Sequence, residues 1–341
     1  MKKLWWCFVL CTVMAGCSQK PPDAFSVHWE KYVSRFYANG RIVDTGNNQV
    51  SHSEGQGYGM LFAVAAGDKP RFDALWRWTQ RTLQRSDGLF SWRFTPCEAN
   101  NRQCVDDNNN ASDGDILIAW ALLRASQTWD STTYKQQALT IIHAVQSKLI
   151  RQHYGYTVLL PGEQGFEKPR RVQLNLSYWL FPAFADFQQL TKDAIWSELL
   201  RDGERLLAQT ASQGKGLASD WLWLSEQGLS ARDSISTHYG YNACRIPLHL
   251  IWQQTSDASL LSPYLAFWQQ DKVPATVNVI TAEPADYTWS KGMQVVAELV
   301  QFKTGQSAAP PSFALGNEQD YFSASLILLS ELALMDTRQD G

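Results

Sequence analysis

The feature that most constrains this 341-residue chain is the period of its apolar residues. Eleven helix-length stretches carry them at 3.6-type spacing, separated by segments rich in Gly, Pro, Asn and Asp. The stretches run over roughly 25–38, 56–67, 70–85, 113–129, 131–152, 175–190, 193–209, 240–253, 257–270, 289–303 and 320–336. Strand-like alternation is sparse, with Tyr154–Leu160 the best candidate and Val273–Ile280 a weaker one. No repeat of 20–50 residues points to a solenoid. The pattern predicts an all-α fold. A closed double ring of helical hairpins and a globular bundle both satisfy it, and helix count alone does not separate them.

Composition narrows the function. With 45% hydrophobic and 18% charged residues the chain can bury a large core and is not disordered. It holds 30 basic and 33 acidic residues and no Lys/Arg run, which argues against a nucleic-acid partner. Fifteen tryptophans exceed what a core requires and point to a surface that stacks flat, uncharged ligands, sugars first among them.

The N-terminus reads as an address. Met1-Lys2-Lys3 precedes the apolar run Leu4–Ala15, too short for a stable membrane span and suited to an export signal. Met14-Ala15-Gly16-Cys17 resembles a bacterial lipobox, so residues 1–16 are expected to be removed and Cys17 to carry lipid. Ordinary cleavage nearby, giving a soluble secreted protein, is the alternative. Ser18 after the cysteine resembles lipoproteins sorted to the outer membrane, on its periplasmic side. Residues 17–24, with a Pro21-Pro22 pair, read as an extended tether, and 25–341 as a single domain. In an oxidising compartment Cys97 and Cys104 are expected to pair as a disulfide. A metal site there is the weaker reading, because no histidine lies nearby. Cys244 reads as a buried free thiol.

Three constellations carry chemistry. In His52-Ser53-Glu54-Gly55-Gln56-Gly57-Tyr58-Gly59-Met60, closely spaced glycines precede an apolar helix. Glu54 is there either a helix-terminal carboxylate favoured by the dipole or a general acid beside a ligand groove. In Asn108-Asn109-Asn110-Ala111-Ser112-Asp113-Gly114-Asp115, Ser112 or Asp113 can cap the helix that follows. Two aspartates at the mouth of so apolar a helix exceed what capping needs. The segment lacks the glycine and terminal glutamate of an EF-hand loop, which argues against a Ca²⁺ site. In Tyr241-Asn242-Ala243-Cys244-Arg245, Tyr241 and Arg245 share a helix face, and an Arg in an apolar run calls for a carboxylate partner. Pro247 predicts a helix start near Ala243 or a kink there.

Together these segments resemble glycoside hydrolase family 8. Ala111-Ser112-Asp113-Gly114-Asp115 running on to Trp129 is similar to the family signature, and Ser53-Glu54-Gly55-Gln56 to its general-acid segment. Arg41-Ile42-Val43-Asp44, Asn175-Leu176-Ser177-Tyr178 and Asp320-Tyr321-Phe322-Ser323-Ala324 match in order, so the likeness spans nearly the whole mature chain. It is nearest the cellulases that accompany bacterial cellulose synthesis. The resemblance implies an (α/α)6 barrel with a few short strands in loops. It also implies inverting hydrolysis of a β-1,4-glucan chain, no cofactor, and the cellulose synthase complex as a candidate partner. Inversion needs an acid on the leaving oxygen and a base for water on the opposite face. Glu54 matches the acid, and Asp113 the carboxylate that holds the distorted sugar. Asp115, Tyr178, Tyr241, Arg245 and Tyr321 match substrate-binding positions, and Trp92 is expected to be a stacking platform. For each aromatic, plain core packing remains the alternative. One position departs: where the family carries its base Asp, this chain has Asn242, an amide that cannot accept a proton. A base drawn from Glu226, Asp233 or Asp220, a slow enzyme, or a glucan-binding lipoprotein would each follow. Another β-glycan such as chitosan is the rival substrate.

Overall fold

The computed structural model describes residues 24–97, 104–212, 216–255 and 257–339. The expected export segment, Cys17 and the tether up to residue 23 lie outside them, and Ala24 already opens the first helix. Among the described residues there are eleven α-helices: α1 (Ala24–Phe36), α2 (Ser53–Ala65), α3 (Lys69–Thr82), α4 (Ser112–Thr128), α5 (Thr132–Leu149), α6 (Phe181–Thr191), α7 (Ile195–Ala211), α8 (Ile246–Trp252), α9 (Ser262–Phe267), α10 (Lys291–Lys303) and α11 (Tyr321–Gln339).

The helices form two concentric layers. Helix α2 packs on α4, α4 on α6, α6 on α8, α8 on α11 and α11 back on α2, which closes an inner circuit. Outside it α3 leans on α2, α5 on α4, α7 on α6, α10 on α8 and α11, and α1 on α11. This is the double ring of the (α/α)6-barrel class, here formed among the described residues by five inner helices and five packed outside them, with α9 lying beyond this set. The residue pattern explains the layering. In α4 every residue from Ser112 to Leu123 is buried, as a helix apolar on all faces must be. Helix α7 buries one stripe, Trp196, Leu199, Gly203, Leu206 and Leu207, and turns most of its charges outward, while Asp202 is buried with the Thr157 N–H and Arg205 as partners.

Local chemistry sets the helix ends. Asp68 caps α3, its carboxylate accepting the Arg71 N–H, with Pro70 in the first turn. Ser131 caps α5 and Ser290 caps α10. Two expected helices start late. The stretch from 175 opens with a 3₁₀ turn at Leu176–Tyr178, and α6 waits for Pro182 in its first turn. The stretch from 240 opens with a 3₁₀ turn at Ala243–Arg245, and Pro247 starts α8.

The strands are short. Tyr156–Leu159 pairs antiparallel with Ile150–His153 as its alternation suggests, whereas Val273–Ile280 contributes only Val277–Asn278, paired with His238–Tyr239. A four-stranded sheet in the order 228–230, 222–225, 171–174, 167–168 was not anticipated, because strands of two to four residues leave no readable period. Cys97 and Cys104 are joined in a disulfide. Cys244 is buried, and burial pushes its thiol up to about 12, far from a reactive thiolate.

Candidate active site

Helices α2 and α4 cross closely enough to bring their first turns together. A Cβ on Gly57 would lie 2.4 Å from Leu117 Cβ, and one on Gly114 would lie 2.8 Å from the Glu54 backbone nitrogen. Only glycine permits either approach. Glu54 and Asp113 therefore face one another at the same mouth of the barrel. The α2 end is held by Ser53 N–H donating to the Trp92 carbonyl at 2.9 Å. Gln56 spans the core behind it, accepting the Ile42 N–H and donating to Thr79 Oγ1, both at 2.7 Å.

Arg245 gathers the site. Its guanidinium is buried and donates to Glu54 Oε1, to Tyr58 Oη at 3.2 Å and to Asn242 Oδ1 at 2.9 Å. It also lies 3.9 Å from Asp113 Oδ2. Tyr58 donates to Glu54 Oε1 at 3.0 Å. Burial alone would raise the Glu54 pKa, but the Arg245 charge and hydrogen bonds from Asp113 and Tyr58 hold it below the ordinary carboxylate value. Asp113 goes the other way: burial and the adjacent Glu54 charge push it well above that value. The two neighbouring carboxyls are thus pushed apart, Glu54 toward its ionised form and Asp113 toward its protonated one.

The cleft over this pair has a volume of about 190 Å³ and is lined by His52, Ser53, Glu54, Trp92, Ala111, Asp113, Tyr178 and Asn242. Trp92 lies parallel to His52, ring centroids 5.9 Å apart, and donates its indole N–H to Asp107 at 2.8 Å. Arg93 bonds Asp106, so the segment following Cys104 braces this wall. On another side Tyr178 meets Trp221 edge-on, and Trp221 stacks flat on Phe166. Tyr241, 44% exposed, stands next to Asn242 and is open to ligand. His52, Trp221 and Phe166 were missed from sequence. An isolated aromatic carries no period, and Trp221's one signal was its place beside Asp220.

Two expected substrate contacts are corrected. Asp115 is wholly buried: it accepts the Phe90 N–H at 2.8 Å and Asn110 Nδ2 at 2.6 Å, fastening two loops below the site rather than facing a sugar. It follows Asp113 by two residues, so its side chain leaves α4 on a different face. Tyr321 is also buried, its ring against Phe36 and its hydroxyl against Gly55, so it supports the Glu54 turn from behind.

The carboxylates considered as a substitute base sort clearly. Glu226 is exposed in the turn between strands 222–225 and 228–230, Asp233 is exposed beyond that hairpin, and neither lines the cleft. Asp220 lies directly behind Asn242. Its Oδ1 accepts the backbone N–H groups of Gly240, Asn242 and Ala243 at 3.1, 3.1 and 2.8 Å. That carboxylate shapes the loop carrying Asn242.

Asp115 also sets a pH response. Burial, partly offset by its hydrogen bonds from Asn110 and Phe90, pushes its carboxyl up to about 8. The unfolded value is about 3.9. The folded state therefore holds the proton more tightly, and the stability this contributes below about pH 4 is lost as pH rises to about 8. Thermal unfolding between pH 4 and 9 is expected to show this decline, and Asp115→Asn, which does not titrate, to flatten it. An equal decline in the variant would place the response elsewhere.

A glycosidic oxygen leaves once it is protonated, and a half-buried Glu54 beside a buried Asp113, both lining a cleft with aromatic walls, is placed to do that. The protein is a glycoside hydrolase, and the comparisons give its family. Glycosyl hydrolases family 8 matches residues 1–336, and the chain belongs to that family. It is 37% identical over 319 residues to a probable endoglucanase of Novacetimonas hansenii, covering 92% of this chain and 91% of that one. It is 40% identical over 279 residues to an endoglucanase of Cellulomonas uda, covering 80% and 76%. Among solved structures it superposes on the endo-β-1,4-glucanase CMCax of Acetobacter xylinum with a TM-score of 0.86 and 36% identity, over 93% of this chain and 99% of that one.

Proposed function

We propose that the protein is an endo-β-1,4-glucanase that cleaves cellulose or a related β-glucan with inversion. The observation that carries this is the geometry of Glu54 and Asp113, which line one cleft and are both gathered by the buried Arg245. Relatives named endoglucanases, at 37–40% identity over most of the chain, support the substrate class. Glu54 is the general acid. A sugar ring entering the cleft displaces water and disfavours charge on Glu54, so the Asp113 proton crosses to it and onward to the leaving oxygen. Asp113, then ionised, faces the positive charge that develops on the ring. Reducing-end release from carboxymethylcellulose, mixed-linkage glucan and chitosan is the test. Cleavage of carboxymethylcellulose with an α-configured new end supports the reading. Cleavage of chitosan alone transfers the enzyme to the rival substrate.

Asn242 at the base position favours a second reading, a slow enzyme that binds glucan more effectively than it cleaves it. We further propose that Cys17 is diacylated and holds the enzyme on the periplasmic side of the outer membrane. There it would act on glucan emerging during cellulose synthesis, beside the synthase complex. The Met14-Ala15-Gly16-Cys17 motif supports this, since a two-chain anchor binds membranes durably. Cys17→Ala is expected to leave the membrane fraction or to stay unprocessed. Wild-type protein recovered from the soluble periplasm with an unmodified N-terminus would refute the anchor.

A further inference from the structure

The end of the barrel opposite Glu54 holds a second cavity of about 470 Å³, within the size range of small-molecule sites. Helix α4 connects the two places: Arg124, on the cavity wall, lies eleven residues beyond Asp113, ~16 Å along the axis. Buried Trp120 and Trp252, ring centroids 5.0 Å apart, line the cavity. Asp336 holds the Arg124 guanidinium through two bonds, at 2.6 and 2.8 Å, and accepts the Trp252 indole N–H at 2.9 Å. Asp186 has no such cation. Its one hydrogen bond among the described residues comes from the Trp120 indole N–H, at 2.6 Å. Burial raises its pKa above the ordinary carboxylate value, against the pull of Trp120 and Arg124. The amides of Gln127, Gln253 and Gln254 also line the cavity. Gln254 is unexpected where it stands. It follows α8 with a φ of +57°, its N–H donating to the Ile251 carbonyl and the Thr255 N–H to the Leu250 carbonyl, both at 3.1 Å. That left-handed helix end usually falls to glycine, so the glutamine side chain is retained against a backbone preference.

We propose that this cavity is a second, non-catalytic saccharide site that holds glucosyl units of a β-glucan chain at the end of the barrel remote from the cleft. A sugar hydroxyl both donates and accepts, and the wall offers both: carboxylates that accept, a guanidinium that donates and amides that do either. Arg124, Asp336 and Asp186 are already held by their neighbours, so little side-chain freedom is lost on binding. An anion is disfavoured, because Asp336 neutralises Arg124 and leaves the Asp186 charge over. Among the described residues no group of three His, Cys, Asp or Glu could hold a metal ion there. A small organic cation would meet Asp186 but also the Arg124 charge, and would leave the amides unused. The site rests on the glucanase reading only for its choice of sugar. It goes beyond that reading by attaching the enzyme to its polymer away from the reacting bond.

The test uses the full chain with two separate changes. Asp186→Asn keeps the shape and removes the charge, and Gln254→Gly supplies the residue a left-handed turn favours, so the fold is kept. In a Glu54→Gln background, retention on insoluble cellulose is expected to fall by up to ~10-fold in Asp186→Asn, the worth of one hydrogen bond to a charged group. Gln254→Gly should lower it less. With Glu54 restored, kcat/KM for cellopentaose, which the cleft handles by itself, should not change. Unchanged retention overturns the site and leaves the glucanase reading intact. An equal fall in cellopentaose turnover also overturns the site, since the changes would then act through the cleft. If the wild type cleaves no glucan yet both changes lower retention, the site stands and the catalytic reading falls. Neither cleavage nor retention overturns both. The Trp120 indole N–H resonance, identified by its shift in Asp186→Asn, reports the ligand class. Its movement on titration with cellopentaose supports a sugar, whereas movement with putrescine alone makes this a cation site and overturns the assignment.

Discussion

Replacing Glu54 with Gln is expected to lower kcat/KM on an unactivated β-glucan by ~10²–10⁴-fold, the usual worth of one general acid. The amide keeps the shape and still accepts from Arg245 and Tyr58, so the cleft should persist. Removing one partner of a buried ion pair usually costs about 3–5 kcal/mol. Here the cost should be smaller, because Asp113 lies 3.9 Å from the same guanidinium and is kept protonated partly by the Glu54 charge. Without that charge Asp113 ionises more readily and becomes the counter-ion. A substrate with an acidic phenol leaving group needs little protonation and should lose far less rate. Steady-state kinetics on both substrates, with a denaturation curve for the variant, checks the expectation. A variant within about threefold of wild type on the unactivated glucan would remove Glu54 from the acid role.

The other large effect concerns Asn242. Glu54 and Asp113 are the carboxylates among the residues lining the cleft, and Asn242 occupies the base corner with its Oδ1 turned to Arg245. Asn242→Asp preserves that bond and makes it charge-assisted. It supplies a group able to take the proton of the attacking water, and kcat/KM should rise ~10²-fold or more. Since the base must be ionised, the gain should appear as pH rises through the pKa of the new carboxylate. Arg245 lowers that pKa, while Glu54 and Asp220 raise it. Rate–pH profiles of both proteins decide the matter. No gain over an already active wild type would assign the base to another group, with Asp220, directly behind, the first to examine. Asp220→Asn would then abolish activity in that background.

Much of the site was legible because its residues sit in local motifs. Glu54 and Asp113 each open a helix whose apolar run is visible in the sequence. Arg245 in an apolar stretch called for a carboxylate partner and has Glu54. Asp115 and Tyr321 were misplaced for one reason. Motif proximity says that a residue is near the site but not which way its side chain points, and both are buried, Asp115 between the loops of Phe90 and Asn110 and Tyr321 against Phe36 and Gly55. The aromatic sides contributed by His52 with Trp92 and by Phe166, Tyr178 and Trp221 join segments more than a hundred residues apart in sequence, and no spacing rule reaches that far.

By itself the sequence determined the helical class, the eleven apolar stripes, the close-packed glycines and the amide at the base position, all properties of neighbours along the chain. Tertiary structure alone decided which of the two carboxyls is pushed toward its ionised form and which toward its protonated one. That depends on Arg245 lying against Glu54 and standing off from Asp113, a difference set by the crossing of α2 and α4 and by the loop that Asp220 ties down. Charge–charge energies fall with distance and rise with burial, and neither quantity exists until the chain has closed on itself.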